Sequence, residues 1–418
     1  MSRNSAGTGR RVVVTGMGGI SPLGTEWRAI EARLRALENA VRIVESWEDI
    51  KGLNTRLGAP AAEFALPPER YTRKAMRGMG RVAILACRAT EFALADAGLL
   101  DDKALLSSGR AGVSYGSSVG GLEALADFAR MIDTRVVEGL NANSYIRMMA
   151  HTAPVNIAVF FGLTGRVHTT SSACTSGSQG IGYAYETILH GHADVMVAGG
   201  TDELGAPDVA VFDTLFAAST RNSEPRLTPR PYDRDRDGLV IGEGAGTLIL
   251  EEYEHARARG AKIHAEIVGF GTNCDGMHVT QPNAATMAIA MRLALASAGL
   301  PPGAIHYVNG HGTATELGDI AESRATREVF GSAMPISSLK SYIGHTLGAS
   351  GVLEAWFSIA MMRANWFAPT LNLDNVDPRC ADLAYITGNG LDLECEYIMS
   401  NNFAFGGINT SLIFRRMP

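Results

Sequence analysis

The residues of this chain with types and settings suited to chemistry are Cys174, His311 and His345, with Lys340 and Glu354 near the last of them. Cys174 lies in Thr169-Thr-Ser-Ser-Ala-Cys-Thr-Ser-Gly-Ser-Gln-Gly180, a small-residue turn between an apolar run and a helix-like stretch. A thiol at the first turn of a helix meets the positive end of the backbone dipole, which lowers its pKa and offers free N–H groups to an adjacent oxyanion. That is the setting of a nucleophile, although Gly177 and Gly180 equally suit two helices crossing closely. His311 sits in Val308-Asn-Gly-His-Gly-Thr-Ala-Thr-Glu-Leu-Gly-Asp319, a glycine-rich loop after a short strand, where functional side chains of α/β proteins gather. His345 occupies a strand-to-helix turn, with Lys340 five residues before it and Glu354 nine after.

A cysteine and two histidines are also acceptable zinc ligands, but no fourth ligand is apparent and acyl transfer suits the helix-start thiol better, so no metal is expected. The other cysteines, Cys87, Cys274, Cys380 and Cys395, are widely spaced, and none forms a Cys-x-x-Cys pair. They read as packed thiols rather than a disulfide framework.

Positioning these residues requires a fold, and the chain looks internally duplicated. An offset of 171 places Cys174 on His345 and matches Thr175 with Thr346, Gly177 with Gly348, Gly180 with Gly351, Ala184 with Ala355 and Ile188 with Ile359. The run Arg11–Gly18 has a counterpart in His264–Gly271, and Gly244–Glu251 one in Gly406–Phe414. Two similar halves, residues 11–262 and 263–418, are therefore expected. Helix-like segments (Met79–Ala97, Thr286–Ala298) alternate with short β-rich runs (Ala111–Tyr115, Val195–Ala198, Ile305–Val308), which implies an α/β architecture. Symmetry suggests five layers, with one sheet per half and the Cys174 and His345 helices sandwiched between them. The stretches Asp127–Ala158 and Glu203–Arg236 exceed what symmetry requires and read as insertions that cap a pocket or form a subunit contact.

A net charge of -6 argues against a nucleic-acid binder, which is usually basic. No run of about 18 uncharged apolar residues occurs, so no membrane span is expected. The first eleven residues lack the apolar centre of a secretory signal and read as a short polar tail, giving a cytoplasmic reading.

Taken together, Ser172-Ala-Cys-Thr-Ser-Gly177, His311-Gly-Thr-Ala-Thr-Glu-Leu-Gly-Asp319, the Lys340–His345 segment, Arg234–Gly246 and Asn401-Asn-Phe-Ala-Phe-Gly-Gly-Ile-Asn409 resemble the β-ketoacyl-[acyl-carrier-protein] synthases of the thiolase superfamily. The resemblance implies a thiolase-like fold and decarboxylative Claisen condensation of malonyl-carrier with an acyl chain held as a thioester on Cys174, in fatty acid elongation. It casts His311 and His345 as donors to the malonyl thioester carbonyl, Lys340, Glu354 and Asp319 as their supports, and Phe403 as oxyanion donor and gate. Thr313 and Thr315 match positions that bind pantetheine amides, and Val119 one that limits acyl length. Lys74 and Arg77 match docking positions for an acidic acyl carrier protein, though a solvated helix face explains them as well. No cofactor is implied beyond the phosphopantetheine that arrives on the carrier. The implied assembly is a homodimer, or a heterodimer with a chain-length-factor-like chain in polyene or polyketide synthesis. Two departures from the family pattern stand out: Glu316 replaces a common proline, and Ala404 a glycine beside Phe403.

Overall fold

A computed structural model describes residues 9–418. The expected polar tail lies mostly in residues 1–8, outside the described residues. Arg10 and Arg11 depart from that expectation, because each is paired, Arg10 with Asp194 and Arg11 with Glu266, both at 2.6 Å.

Eleven strands form the main sheet: β1 (Val12–Ile20), β2 (Ala111–Gly116), β3 (Val167–Thr169), β4 (Val195–Asp202), β5 (Gly244–Glu252), β6 (Ala265–Cys274), β7 (Tyr307–Asn309), β8 (Pro335–Ser337), β9 (Ala384–Tyr385), β10 (Tyr397–Ala404) and β11 (Ile408–Arg416). The helices that matter here are α1 (Arg81–Asp96), α2 (Leu122–Thr134), α3 (Ala142–Met148), α4 (Thr152–Phe161), α5 (Ser176–Leu189), α6 (Ala206–Thr214), α7 (Ala284–Ala298), α8 (Glu316–Phe330) and α9 (Ser350–Ala364).

Strand order across the sheet is β9-β8-β7-β10-β11-β6-β1-β5-β4-β2-β3. Read outward from its centre, β1-β5-β4-β2-β3 repeats as β6-β11-β10-β7-β8, and the sense of each pairing repeats too, two antiparallel pairs followed by two parallel ones. The expectation of a separate sheet in each half needs one amendment. Val12–Val14 of β1 pair antiparallel with Ala265–Ile267 of β6 and join the two five-stranded repeats along a short seam, with β9 an additional edge strand beside β8.

Five layers follow from burial. Helix α1 covers the outer face of β1 and β5, and α7 with α8 covers the outer side of the other unit. Between the units lie α5 and α9, which touch each other and strands from both. Sandwiched on two sides, they lack the polar stripe of a surface helix: every residue of α9 from Ser350 to Met362 is buried. Contact this close requires glycine. A Cβ on Gly177 would lie 2.7 Å from the Gly348 carbonyl oxygen, and one on Gly351 2.6 Å from the Ser178 nitrogen. The stretch Asp127–Ala158 folds into the end of α2, α3 and part of α4, while Glu203–Arg236 contains α6 and supplies Phe212, Leu215, Phe216 and Ala217 to the wall of the main cavity.

Candidate active site

Cys174 is held in a 3-10 turn, Ala173–Thr175, directly before α5. The hydroxyl-rich sequence stitches this turn together. Ser172 N–H donates to Ser176 Oγ (3.0 Å), Ser176 Oγ to the Ala173 carbonyl (2.7 Å), Thr175 Oγ1 to the Ser172 carbonyl (2.8 Å) and Thr170 Oγ1 to the Ser176 carbonyl (2.8 Å). Ala173 takes a left-handed conformation (φ 50°), a cost that these bonds offset.

The equivalent turn in the second half is Leu347–Ala349, with Leu347 at φ 47° and α9 starting at Ser350. The structural offset is thus 174 rather than 171, and Cys174 corresponds to Gly348, not to His345. The Gly-x-x-Gly pairs at 177/180 and 348/351 caused the slip, because they overlay in registers about one helical turn apart. His345 lies three residues upstream, where its backbone pairs with Val240 and Gly242 (N–H to Val240 carbonyl 2.7 Å, carbonyl from Gly242 N–H 2.8 Å). The two turns still converge on one point.

His345 Nε2 lies 3.0 Å from Cys174 Sγ. Its Nδ1 accepts from Leu347 N–H (3.3 Å) and lies 2.9 Å from Ser350 Oγ. A nitrogen that accepts a backbone N–H carries no proton, so the neutral ring bears its hydrogen on Nε2, pointing at sulfur. The His311 ring stands edge-on to His345, centroids 5.2 Å apart, and makes a second edge contact with the Phe403 ring at 6.1 Å. His311 Nδ1 is buried and has no partner among the described residues, which leaves it free to serve a substrate atom. Cys174, His311 and His345 bring their donor atoms within 4.8 Å of one another.

Burial, then the charge of Lys340, holds both imidazoles well below their ordinary pKa, so both are neutral donors. Lys340 itself is buried and ion-paired with Glu354, whose other oxygen accepts from Asn402 Nδ2 at 2.7 Å. The Cys174 thiol departs from the expectation of a lowered pKa. Burial pushes it up to about 11, against the opposing pull of Lys340 and of backbone N–H groups at Phe405 and at Cys174 itself. The dipole and donors are present, but desolvation of the thiolate outweighs them.

The N–H that reaches sulfur is that of Phe405, not Phe403. Phe403 lies within β10 opposite Asn409, with its ring in the core of the second half. Phe405 follows the strand's last residue, Ala404, where the chain leaves the ladder and its N–H is free to turn inward. The Phe405 ring leans on Phe212, centroids 5.3 Å apart.

Asp319 braces the His311 loop by accepting Ala314 N–H (3.1 Å) and Tyr232 N–H (2.7 Å). Glu322, which the sequence reading missed, does more: it accepts His311 N–H (2.5 Å), Gly312 N–H (2.6 Å) and the Tyr232 hydroxyl (3.0 Å). Its signal was present, an acid three residues after Asp319 on the same helix face. Ser350 and Phe405 were missed as well, the first through the register slip and the second because its neighbour Phe403 was chosen.

A cavity of about 470 Å³ opens from Cys174, His311 and His345 to the surface. Thr313 and Thr315 line it, their hydroxyls 2.9 Å apart. Val119 is half-buried and lies outside its wall. Lys74 and Arg77 are exposed on and beside the turn Ala75–Gly78, with no ion-pair partner among the described residues. Glu316 opens α8 at the cavity rim and pairs with Arg379 at 2.5 Å, and the carbonyl of Ala404 accepts Gly407 N–H at 3.0 Å. No helix among the described residues is long and apolar enough to cross a membrane.

A buried thiol beside a neutral Nε2–H, with a second neutral imidazole across a deep channel, defines a thiol-dependent acyl-transfer site. The comparisons agree. The beta-ketoacyl synthase N-terminal domain family matches residues 9–256, and its C-terminal domain family matches residues 264–374. A beta-ketoacyl synthase crystal structure from Burkholderia phymatum is 60% identical, with a TM-score of 0.96 over 98% of this chain and 100% of that one. The 3-oxoacyl-[acyl-carrier-protein] synthase 2 of Vibrio cholerae is 38% identical, over 98% of this chain and 99% of its own. The ishigamide ketosynthase/chain length factor structure is 30% identical, with a TM-score of 0.88 over 98% of this chain and 100% of that one. The chain belongs to the beta-ketoacyl synthase family and is an acyltransferase.

Proposed function

We propose that the chain extends acyl chains by decarboxylative condensation of malonyl-acyl carrier protein, as an elongating synthase of fatty acid synthesis. The observation that carries this reading is the pair of neutral imidazoles, His311 and His345, beside one thiol at the end of a channel. Cys174 Sγ attacks the thioester carbonyl of acyl-carrier, the carrier's phosphopantetheine thiolate leaves, and the Sγ proton passes to it. The N–H groups of Cys174 and Phe405 face the oxyanion formed on the way, and each such donor contributes roughly 3 kcal/mol. Malonyl-carrier then enters along Thr313 and Thr315. As the carboxylate leaves as carbon dioxide, its bonding pair moves into the thioester carbonyl, and the enolate oxygen accepts from His311 and His345. The enolate carbon attacks the acyl carbonyl, the C–Sγ bond breaks to release the Cys174 thiolate, and a proton taken up from water restores the thiol.

Lys340, Glu354, Asp319 and Glu322 act through the histidines. Lys74 and Arg77 offer an acidic carrier an exposed, unpaired basic surface. The homodimer reading draws on β3, which has one neighbour in the sheet, and on the exposed Ile132, Val136, Val137 and Val159 nearby in sequence. The division into halves at 262/263 falls between β5 and β6, the closing strand of one repeat and the opening strand of the next. The five free cysteines suit a reducing cytoplasm. The chain alone, given short acyl-carrier and malonyl-carrier, is expected to release β-ketoacyl-carrier detectable by mass. Product only after addition of a second, cysteine-less homologous chain would replace this reading with a partnered ketosynthase.

A further inference from the structure

Asp202, the last residue of β4, is buried and belongs to none of the groups assigned above. Its carboxylate takes hydrogen bonds from two loops that approach from different directions. Ser118 gives its N–H (3.1 and 3.0 Å to the two oxygens) and its Oγ (2.6 Å), and Gly348 gives its N–H at 2.6 Å. Gly348 is the middle of the turn whose flanking residues, Leu347 and Ser350, hold His345 Nδ1. Ser118 belongs to the loop Gly116–Gly121 that carries Val119, and its carbonyl accepts Ser171 Oγ (3.3 Å), three residues before the nucleophile. The crossing has no slack: a Cβ on Gly348 would lie 2.8 Å from the Asp202 carboxylate and 3.1 Å from Ser118 N.

We propose that Asp202 is a positioning residue that ties the Ser118 loop, and through it Ser171 of the nucleophile turn, to the His345 turn, so that one carboxylate sets the aim of His345 Nε2 at Cys174 Sγ. The proposal rests on the condensation reading above. An ionised carboxylate accepts all of these donors, whereas an amide of the same shape accepts at one oxygen and turns an N–H₂ against a backbone N–H. Burial raises the Asp202 pKa to about 7, and the bonds from Ser118 and Gly348 oppose that rise, so the carboxylate is held by the two loops it joins.

The test uses full-length wild type, Asp202→Asn and Ser118→Ala, first with malonyl-carrier alone and then with hexanoyl-carrier to follow acylation of Cys174. For Asp202→Asn, kcat for malonyl decarboxylation is expected to fall about tenfold with KM within about twofold, because transition-state aim is lost rather than binding. Ser118→Ala, which removes the 2.6 Å hydroxyl donor to the same carboxylate, is expected to lower kcat in the same direction, and acylation of Cys174 by hexanoyl-carrier slows in both variants. Wild-type values for both readouts in a folded Asp202→Asn protein overturn the proposal, as does a loss that merely tracks the folded fraction. If Asp202→Asn does not fold, Ser118→Ala decides, and wild-type kcat together with wild-type acylation overturns the proposal. A wild-type protein without decarboxylase activity would sink the condensation reading instead.

Discussion

Replacing Lys340 with methionine separates what the buried ion pair does for stability from what it does for chemistry. Lys340 and Glu354 are both almost fully buried, and Glu354 would be left with the Asn402 amide as its main partner. Removing one member of such a pair costs about 3–5 kcal/mol, since the other charge stays buried. Spread over 418 residues, at an unfolding entropy near 2.1 cal/mol/K per residue, that loss lowers the melting temperature by about 3–6 °C. The chemical effect runs separately. Lys340 lowers the pKa of Cys174 and of both histidines, so its loss raises all three. Each unit gained by the thiol cuts the thiolate about tenfold at a fixed alkaline pH and slows alkylation nearly as much. The double variant Lys340→Met/Glu354→Leu removes both charges and is expected to recover most of the melting temperature. It does not recover alkylation or condensation. Scanning calorimetry and iodoacetamide kinetics at pH 8 make the comparison. Wild-type alkylation in the single variant, or full condensation in the double variant, refutes the electrostatic role.

Three further outcomes follow from the same geometry. Alkylation of Cys174 rises steadily with pH beyond 9 towards a midpoint near the pKa of about 11, and a plateau at neutral pH would show a thiolate that the burial argument does not allow. Malonyl decarboxylation is expected to fall as the pH drops through the Asp202 pKa of about 7 and to stay flat from there to about pH 8.5, since both histidines are neutral throughout that range. A basic limb in that window would make one of them a proton-transfer group. Gly177→Ala forces a Cβ to within 2.7 Å of the Gly348 carbonyl at the α5–α9 crossing and is expected to cost about 1–3 kcal/mol in denaturant unfolding.

The chemistry was legible in residue types, and the geometry around it only partly. Cys174, His311 and His345 stood out because a thiol at a helix start and histidines among glycines have few structural explanations, and the structure brings them together. Terminal strands were legible because apolar runs ending in glycine open both halves, as β1 and β6 do, and runs entered through glycine close them, as β5 and β11 do. The register between the halves was not, because Gly-x-x-Gly at helix starts is nearly invariant to a shift of one turn. Nor was the choice of Phe405 over Phe403, which depends on where β10 stops. The pKa of Cys174 went the other way because the sequence shows the helix start but not the depth of burial. Asp202 was invisible for a related reason: it serves backbone N–H groups of Ser118 and Gly348, distant in sequence, which leave no side-chain pattern to read, whereas Glu322 left only its spacing from Asp319.

The most direct test of the account is the intact mass of the protein after acyl-carrier is added, followed by peptide mapping and then by malonyl-carrier. One acyl group is expected, on Cys174, absent from Cys174→Ala and discharged as a β-ketoacyl product when malonyl-carrier arrives. An acyl group on another residue, or product formed at the wild-type rate by Cys174→Ala, would contradict it.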